Sequence, residues 1–152
     1  GLGVVAVLAA RGGADVVATD VVPAAVDTIR ANAALNGVTI DARLGEQAIE
    51  LMNIAADARV LDVGCGSGWA SRLMAAKARD GRVIGIDISD EMIRVERESS
   101  SEFPNIEYRI ASAEKLPFAD GEFTHAFSME SLYYYADIPG ALKEIKRVRY
   151  CA

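Results

Sequence analysis

The stretch Arg59–Asp87, RVLDVGCGSGWASRLMAAKARDGRVIGID, decides the fold. Its apolar start, Val60-Leu61-Asp62-Val63, reads as a buried parallel strand. That run enters glycines at alternate positions, Gly64, Gly66 and Gly68, and then an alanine-rich helical stretch from Trp69 to about Arg79. A second β-rich run, Arg82 to Ile86, ends in Asp87. Strand, glycine turn, helix, strand and terminal acid, in that order, form the mononucleotide-binding half of a doubly wound α/β sheet. Glycines permit the sharp turn and remove the Cβ that would hold a ligand off the backbone. The helix start offers its N–H groups to whatever fills the turn. Asp87, at the carboxyl end of its strand, can accept two hydrogen bonds from ribose hydroxyls.

Two details refine this. The spacing is G-x-G-x-G rather than G-x-G-x-x-G, and Asp62 stands two residues ahead of the first glycine, where a carboxylate could meet an amino group. With these residues the sequence resembles the class I S-adenosylmethionine (SAM)-dependent methyltransferases, most closely the branch that methylates quinones and other small molecules. A nicotinamide-binding Rossmann domain is the nearest competitor. The resemblance implies that SAM is the cofactor. It places Asp62 and the turn Gly64, Cys65, Gly66 and Gly68 toward the methionine part, and Asp87 on the ribose. Ile88 would pack on the adenine, Ser112 and Ala113 would meet its edge, and Ser128 and Met129 would sit near the sulfonium. Two departures stand out: the family commonly carries an aspartate where this chain has Ser112, and often an acid where it has Thr124. Methyl transfer from a sulfonium needs positioning and exclusion of water more than a fixed set of catalytic groups, and no catalytic residue is assigned.

At 152 residues the chain has room for one domain with a real core, expected to run through 1–152. No apolar run approaches the ~18 residues of a membrane span. The opening Leu2–Ala10 lacks a charged leader and reads as a helix. A net charge of −6, without a basic patch interleaved with aromatics, argues against nucleic acid as a partner. Cys65 and Cys151 have no metal-type spacing and fit a reducing, cytoplasmic setting.

Before the central motif, Gly1 to Asp20 looks like a second copy of the unit without its first strand. Gly3 matches the third turn glycine, Val4 to Arg11 the helix, Gly12-Gly13 its stop, Val16 to Thr19 a strand, and Asp20 its acid. Pro23 opens a helix with Val26, Ile29 and Ala33 on one face, which Gly37 ends before a strand over Val38 to Ala42. The wording T-D-x-x-P-x-A-V…N-G resembles a different methyltransferase branch. Residues 1–44 therefore read as a fragment of one methyltransferase and 45–152 as the first part of another, a recombined or engineered chimera, with a misordered or truncated natural two-domain protein as the alternative. Asp20 reads as a relic or a cap rather than a second ligand site.

Downstream, the sequence predicts a helix from Glu46 to Ala55 and a helix capped by Ser89 with Met92, Ile93 and Val95 inward. Strands follow at Ile106 to Ile110 and Phe123 to Ser128, then a helix capped by Asp137 with Leu142, Ile145 and Val148 as its stripe. Glu96 to Glu98 and Lys143 to Arg149 read as solvated faces. Tyr133-Tyr134-Tyr135 either stacks on a substrate or packs under a loop, and His125 is expected to pack within its strand. The crossover rule gives a doubly wound parallel sheet of six strands in the order 5-4-3-6-2-1. Because the family's last three strands have no counterpart, the first fragment or a strand-exchanged homodimer would cover the exposed flank. Two functions follow as expectations: methyl transfer from SAM to a small molecule, by a monomer or such a dimer, or a recombinant scaffold that retains the cleft without activity.

Overall fold

The computed structural model describes residues 17–20 and 22–149. The expected helix over 4–11, the glycines Gly3, Gly12 and Gly13, and Cys151 lie outside the described residues. The chain divides into two units, Gly1–Leu51 and Met52–Ala152.

In the first unit, strands β1 (Val17–Asp20) and β2 (Asp41–Leu44) pair in parallel through helix α1 (Pro23–Leu35). Helix α2 (Gly45–Leu51) follows. Pro23 occupies the first turn of α1, where its missing N–H costs nothing, and Gly37 leaves it at φ 64°. Val26, Ile29 and Ala33 bury the expected face of α1 with Ile40 and Ala42. Asp20 turns its carboxylate back to accept the Val22 N–H at 2.9 Å, closing the turn into α1.

The second unit is a parallel sheet whose strands are joined by helices and, before the last strand, by a loop. Its strands are β3 (Arg59–Val63), β4 (Arg82–Asp87), β5 (Ile106–Ile110) and β6 (His125–Phe127), in the order β5-β4-β3-β6. Helix α3 (Trp69–Lys77) joins β3 to β4, α4 (Asp90–Ser99) joins β4 to β5, and α5 (Ile138–Val148) follows β6. Side chains alternate across a strand, and both sheet faces are covered, which is why β3 is buried from Val60 to Val63. Leu61, Val63, Ile84 and Ile86 face one core with Phe118, Phe123, Ala141 and Val148. Phe118 and Phe123 meet edge to face at 4.9 Å. Asp62, paired with Gly85, points the other way, toward Ser71 of α3. Ser89 caps α4 through the Met92 N–H, and Asp137 caps α5 through the Gly140 N–H, as their positions predict.

Several expectations need correction. The predicted six-stranded order holds for 5-4-3-6 and for the 2-1 pair, but β1 and β2 form a separate two-stranded sheet with no ladder to β6. Just before β6, the chain leaving α5 makes an isolated parallel bridge, with Arg149 opposite Phe123 and the Phe123 N–H bonded to Val148 O at 2.9 Å. Glu96 is not a solvated charge: it is 3% exposed, beneath the glycine turn, whereas Val95, expected inward, is exposed. On α5 the buried face is Ala141 and Val148, with Leu142 exposed. Among the described residues no helix is long and apolar enough to cross a membrane.

Candidate functional site

Because β3 and β4 lie side by side in register, the glycine turn after β3 faces the end of β4. The Gly64 and Cys65 N–H groups both donate to Ile86 O, at 2.8 and 2.9 Å. The Gly66 N–H donates to Asp87 Oδ2 at 3.1 Å, and the Ser89 N–H to Asp87 Oδ1 at 3.0 Å. These bonds fix the Asp87 carboxylate at the turn and use half its accepting capacity, leaving about two lone-pair directions for a ligand.

The glycines serve different needs. Gly64 has φ 72°, and a Cβ there would sit 2.5 Å from the Ser131 Cβ, so the loop after β6 rests directly on it. A Cβ at Gly66 would meet open space. Gly68 lies over a polar floor, where a Cβ would run into Glu96 and the Tyr108 hydroxyl. Glu96 is held in that floor by Arg72 at 2.8 Å and by the Ser99 hydroxyl at 3.1 Å, while Tyr108 bonds Ser100 at 3.0 Å. Burial pushes the Tyr108 hydroxyl above its ordinary range, and does the same to the Cys65 thiol, which sits among buried residues with Asp62 and Asp87 nearby.

Asp62 is sealed beneath the turn at 2% exposure, accepting the Ser71 O–H at 2.6 Å. Burial raises its pKa from 3.8 to about 7; the Ser71 bond works against that rise, and the Asp87 charge adds to it.

A cleft of about 470 Å³ opens beside the turn. Of the residues singled out in the sequence, Gly64, Asp87, Ile88, Ser112 and Ala113 line it. Ile88 is 70% exposed, an apolar side chain held open at a mouth. Asp62, Cys65, Gly66, Gly68, Ser128 and Met129 are not in the lining. Ser128 stands one hydrogen bond behind it, 2.6 Å from Ser131 Oγ. The opposite wall comes from Ser131 and Ala136, which sequence reasoning did not assign, with Tyr134 and Tyr135, left open between stacking and packing; Glu114, from the loop of Ser112 and Ala113, reaches across to it. Ser131 bonds the Tyr135 hydroxyl at 2.8 Å and donates to Val63 O at 3.3 Å. Glu114 Oε1 accepts the N–H groups of Ala136 and Asp137 at 2.7 and 3.0 Å. Only the tyrosine run was visible as a signal; the other contacts join residues far apart in the chain. Among the described residues the lining holds two carboxylates, Asp87 and Glu114, and no lysine, arginine or histidine.

His125 is used structurally, its ring nitrogens 2.9 Å from Thr124 Oγ1 and 3.0 Å from Met52 O. Thr124, where the resemblance leads one to expect an acid, accepts the Arg59 N–H and donates to Arg59 O, both at 3.0 Å.

Comparison with known proteins agrees with this geometry. A methyltransferase-domain family matches residues 61–149. An O-methyltransferase of Aspergillus nomiae is 36% identical over 70% of this chain and 48% of its own length. The demethylmenaquinone methyltransferase of Staphylococcus saprophyticus is 35% identical over 64% of this chain and 42% of its own. The crystal structure of the YcgJ protein of Bacillus subtilis superposes with a TM-score of 0.64 at 27% identity, covering 68% of this chain and 44% of that one. The chain thus spans about half the length of the curated relatives it matches. A family match over the central strand, the glycine turn, Asp87 and the far wall of the cleft settles the affiliation: the chain belongs to the SAM-dependent methyltransferase-domain family.

Proposed function

We propose that the unit Met52–Ala152 binds SAM in the cleft beside Gly64, and that the protein transfers the methyl group to a small molecule. The charge of the lining carries this reading. Among the described residues the lining holds the Asp87 carboxylate and no cation, which suits a nucleoside with a positive sulfur and an ammonium group and disfavours the pyrophosphate of a nicotinamide dinucleotide. The turn amides support the same choice, since those of Gly64, Cys65 and Gly66 are already bonded to Ile86 O and Asp87 rather than held out for phosphate. The cleft also falls within the ~300–1,000 Å³ of small-ligand sites.

In this reading Asp87 takes the ribose hydroxyls on its remaining lone pairs, and Ile88 lies against the adenine. Ser112 accepts the Glu114 N–H at 3.2 Å, so its own proton remains for a ring nitrogen of the adenine, with Ala113 along the same edge. Gly64, Cys65, Gly66 and Gly68 shape the backbone around the methionine part, Asp62 adds negative charge from below, and Ser128 and Met129 stand near the sulfur. SAM, when bound, supplies a methyl already activated by its positive sulfur. The chain's own residues then bind, orient and keep water out. The names of the similar enzymes support a small-molecule acceptor.

Calorimetric titration with SAM or S-adenosylhomocysteine (SAH) tests the reading. Absence of heat at millimolar ligand removes it. Asp87→Ala should weaken binding by about a hundredfold, the scale of two lost hydrogen bonds to a charged group, while Asp20→Ala leaves it unchanged. Equal effects would mean that the wrong acid has been chosen.

We also propose that residues 1–44 derive from a second methyltransferase. The parallel β1–α1–β2 arrangement with Asp20 ending β1 supports this, because it repeats the setting of Asp87 at the end of β4.

A further inference from the structure

The wall of the cleft opposite Asp87 is a strap, and one side chain ties it to the rest of the site. The strap runs from Glu130, a non-glycine at φ 56°, through the 3-10 turn Leu132–Tyr134 to Asp137, the N-cap of α5. Its near end rests on the glycine turn, where Ser131 donates to Val63 O. Its far end meets Glu114, which comes from the loop after β5 that carries Ser112 and Ala113. One oxygen of Glu114 accepts two consecutive backbone N–H groups, those of Ala136 and Asp137. These amides sit at the start of α5, where the helix dipole also favours a carboxylate. The same loop is stitched to α5 from the other side: Glu144 accepts the Leu116 N–H at 2.9 Å, and Arg147 donates to Leu116 O and Phe118 O at 3.0 and 2.8 Å. At this far end Glu114 joins lining to lining, since it and Ala136 both face the cleft, as the Ser131–Val63 bond does at the near end.

We propose that Glu114 is a positioning residue that fixes the distance between the two walls of the cleft, so that a ligand meets a strap already ordered. Resting on the SAM-binding reading above, this assigns to Glu114 a role exerted through Tyr135 and Ala136 and not through direct contact with the nucleotide. A strap released at its far end must be ordered by the ligand at the moment of binding, and that cost appears as lost affinity.

The test uses the 152-residue chain with SAH as probe, comparing wild type, Glu114→Ala and Glu114→Gln. Calorimetry reads the affinity, and hydrogen exchange reads the amides of Ala136 and Asp137. The alanine variant should bind SAH about tenfold more weakly, the scale of a charge-assisted hydrogen bond, with faster exchange at both amides. The glutamine variant keeps an acceptor oxygen at the same reach and should recover most of both. Glu114→Asp keeps the charge but shortens the reach; it should behave like alanine and replaces that variant if alanine does not fold. Unchanged affinity and exchange in the alanine or aspartate variant overturns the proposal. So does a glutamine variant as impaired as alanine, since charge rather than the tie would then matter. If wild type binds no SAH, the SAM reading fails on its own. The exchange rates still decide the tie: faster exchange in alanine, restored in glutamine, upholds it, and equal rates reject it.

Discussion

Asp62→Asn should stabilise this protein, and by an amount that depends on pH. Asp62 is a buried carboxyl whose visible partner is the Ser71 hydroxyl, 2.6 Å away. Gly85 is its partner across the ladder, and Asp87 is the charge that adds to its rise. Burial lifts its pKa from 3.8 to about 7. Between those values the folded chain holds a proton that the unfolded chain has released, so stability falls as pH rises through this window. Below 3.8 both states are protonated and the penalty vanishes; above about 7 both are ionised and it is complete. At about 1.4 kcal/mol per pKa unit, the full penalty is roughly 4 kcal/mol. Asparagine keeps a carbonyl oxygen for the Ser71 hydroxyl and never ionises. Urea unfolding of both proteins at about pH 4.5 and about pH 8 measures the effect. The advantage of the asparagine variant should grow by roughly 3 kcal/mol between those conditions. Parallel stability curves for the two proteins would refute the reasoning, since they would mean that Asp62 titrates alike in the folded and unfolded chain.

Other substitutions probe the turn and its floor. Gly64→Ala forces a Cβ toward Ser131 at a left-handed backbone position and should cost about 2–4 kcal/mol; adding Ser131→Gly should return part of the loss, and a melting temperature indifferent to Gly64→Ala would count against the contact. Glu96→Ala leaves Arg72 facing an emptied, shielded pocket and should cost about 3 kcal/mol; a denaturation loss well under 1 kcal/mol would show that the pair is water-exposed in solution. With Cys151 replaced by serine, Cys65 should react with a disulfide reagent at mildly alkaline pH only as fast as the protein opens, because it is buried and its thiol pKa is raised; labelling in seconds under native conditions would contradict that burial.

Local sequence pattern carried the reading of the turn. Three alternate glycines, a preceding apolar run and Asp87 after the next strand lie within one short stretch, and each constrains its neighbours sterically. Caps such as Ser89 and Asp137 were legible for the same reason, their partners being three residues away. The far wall of the cleft was not. Glu114 meets Ala136 and Asp137, and Ser131 meets Val63, across spans that no periodicity records. The error at β6 was of a different kind. Chirality rules rank the possible neighbours of an edge but do not require that a ladder form, and β1 and β2 make a sheet of their own. Glu96 misled because a charge on a helix is usually solvated; burying it required Arg72 from another helix.

The floor beneath Gly68 has a practical consequence for anyone reshaping this protein. Glu96 and Tyr108 stand where a larger residue at position 68 would otherwise go, and neither lines the cleft. Changes at those two positions would therefore tilt the turn from below without touching a bound molecule. A library randomised there would explore cofactor analogues through backbone posture, a route closed to variation confined to the visible walls.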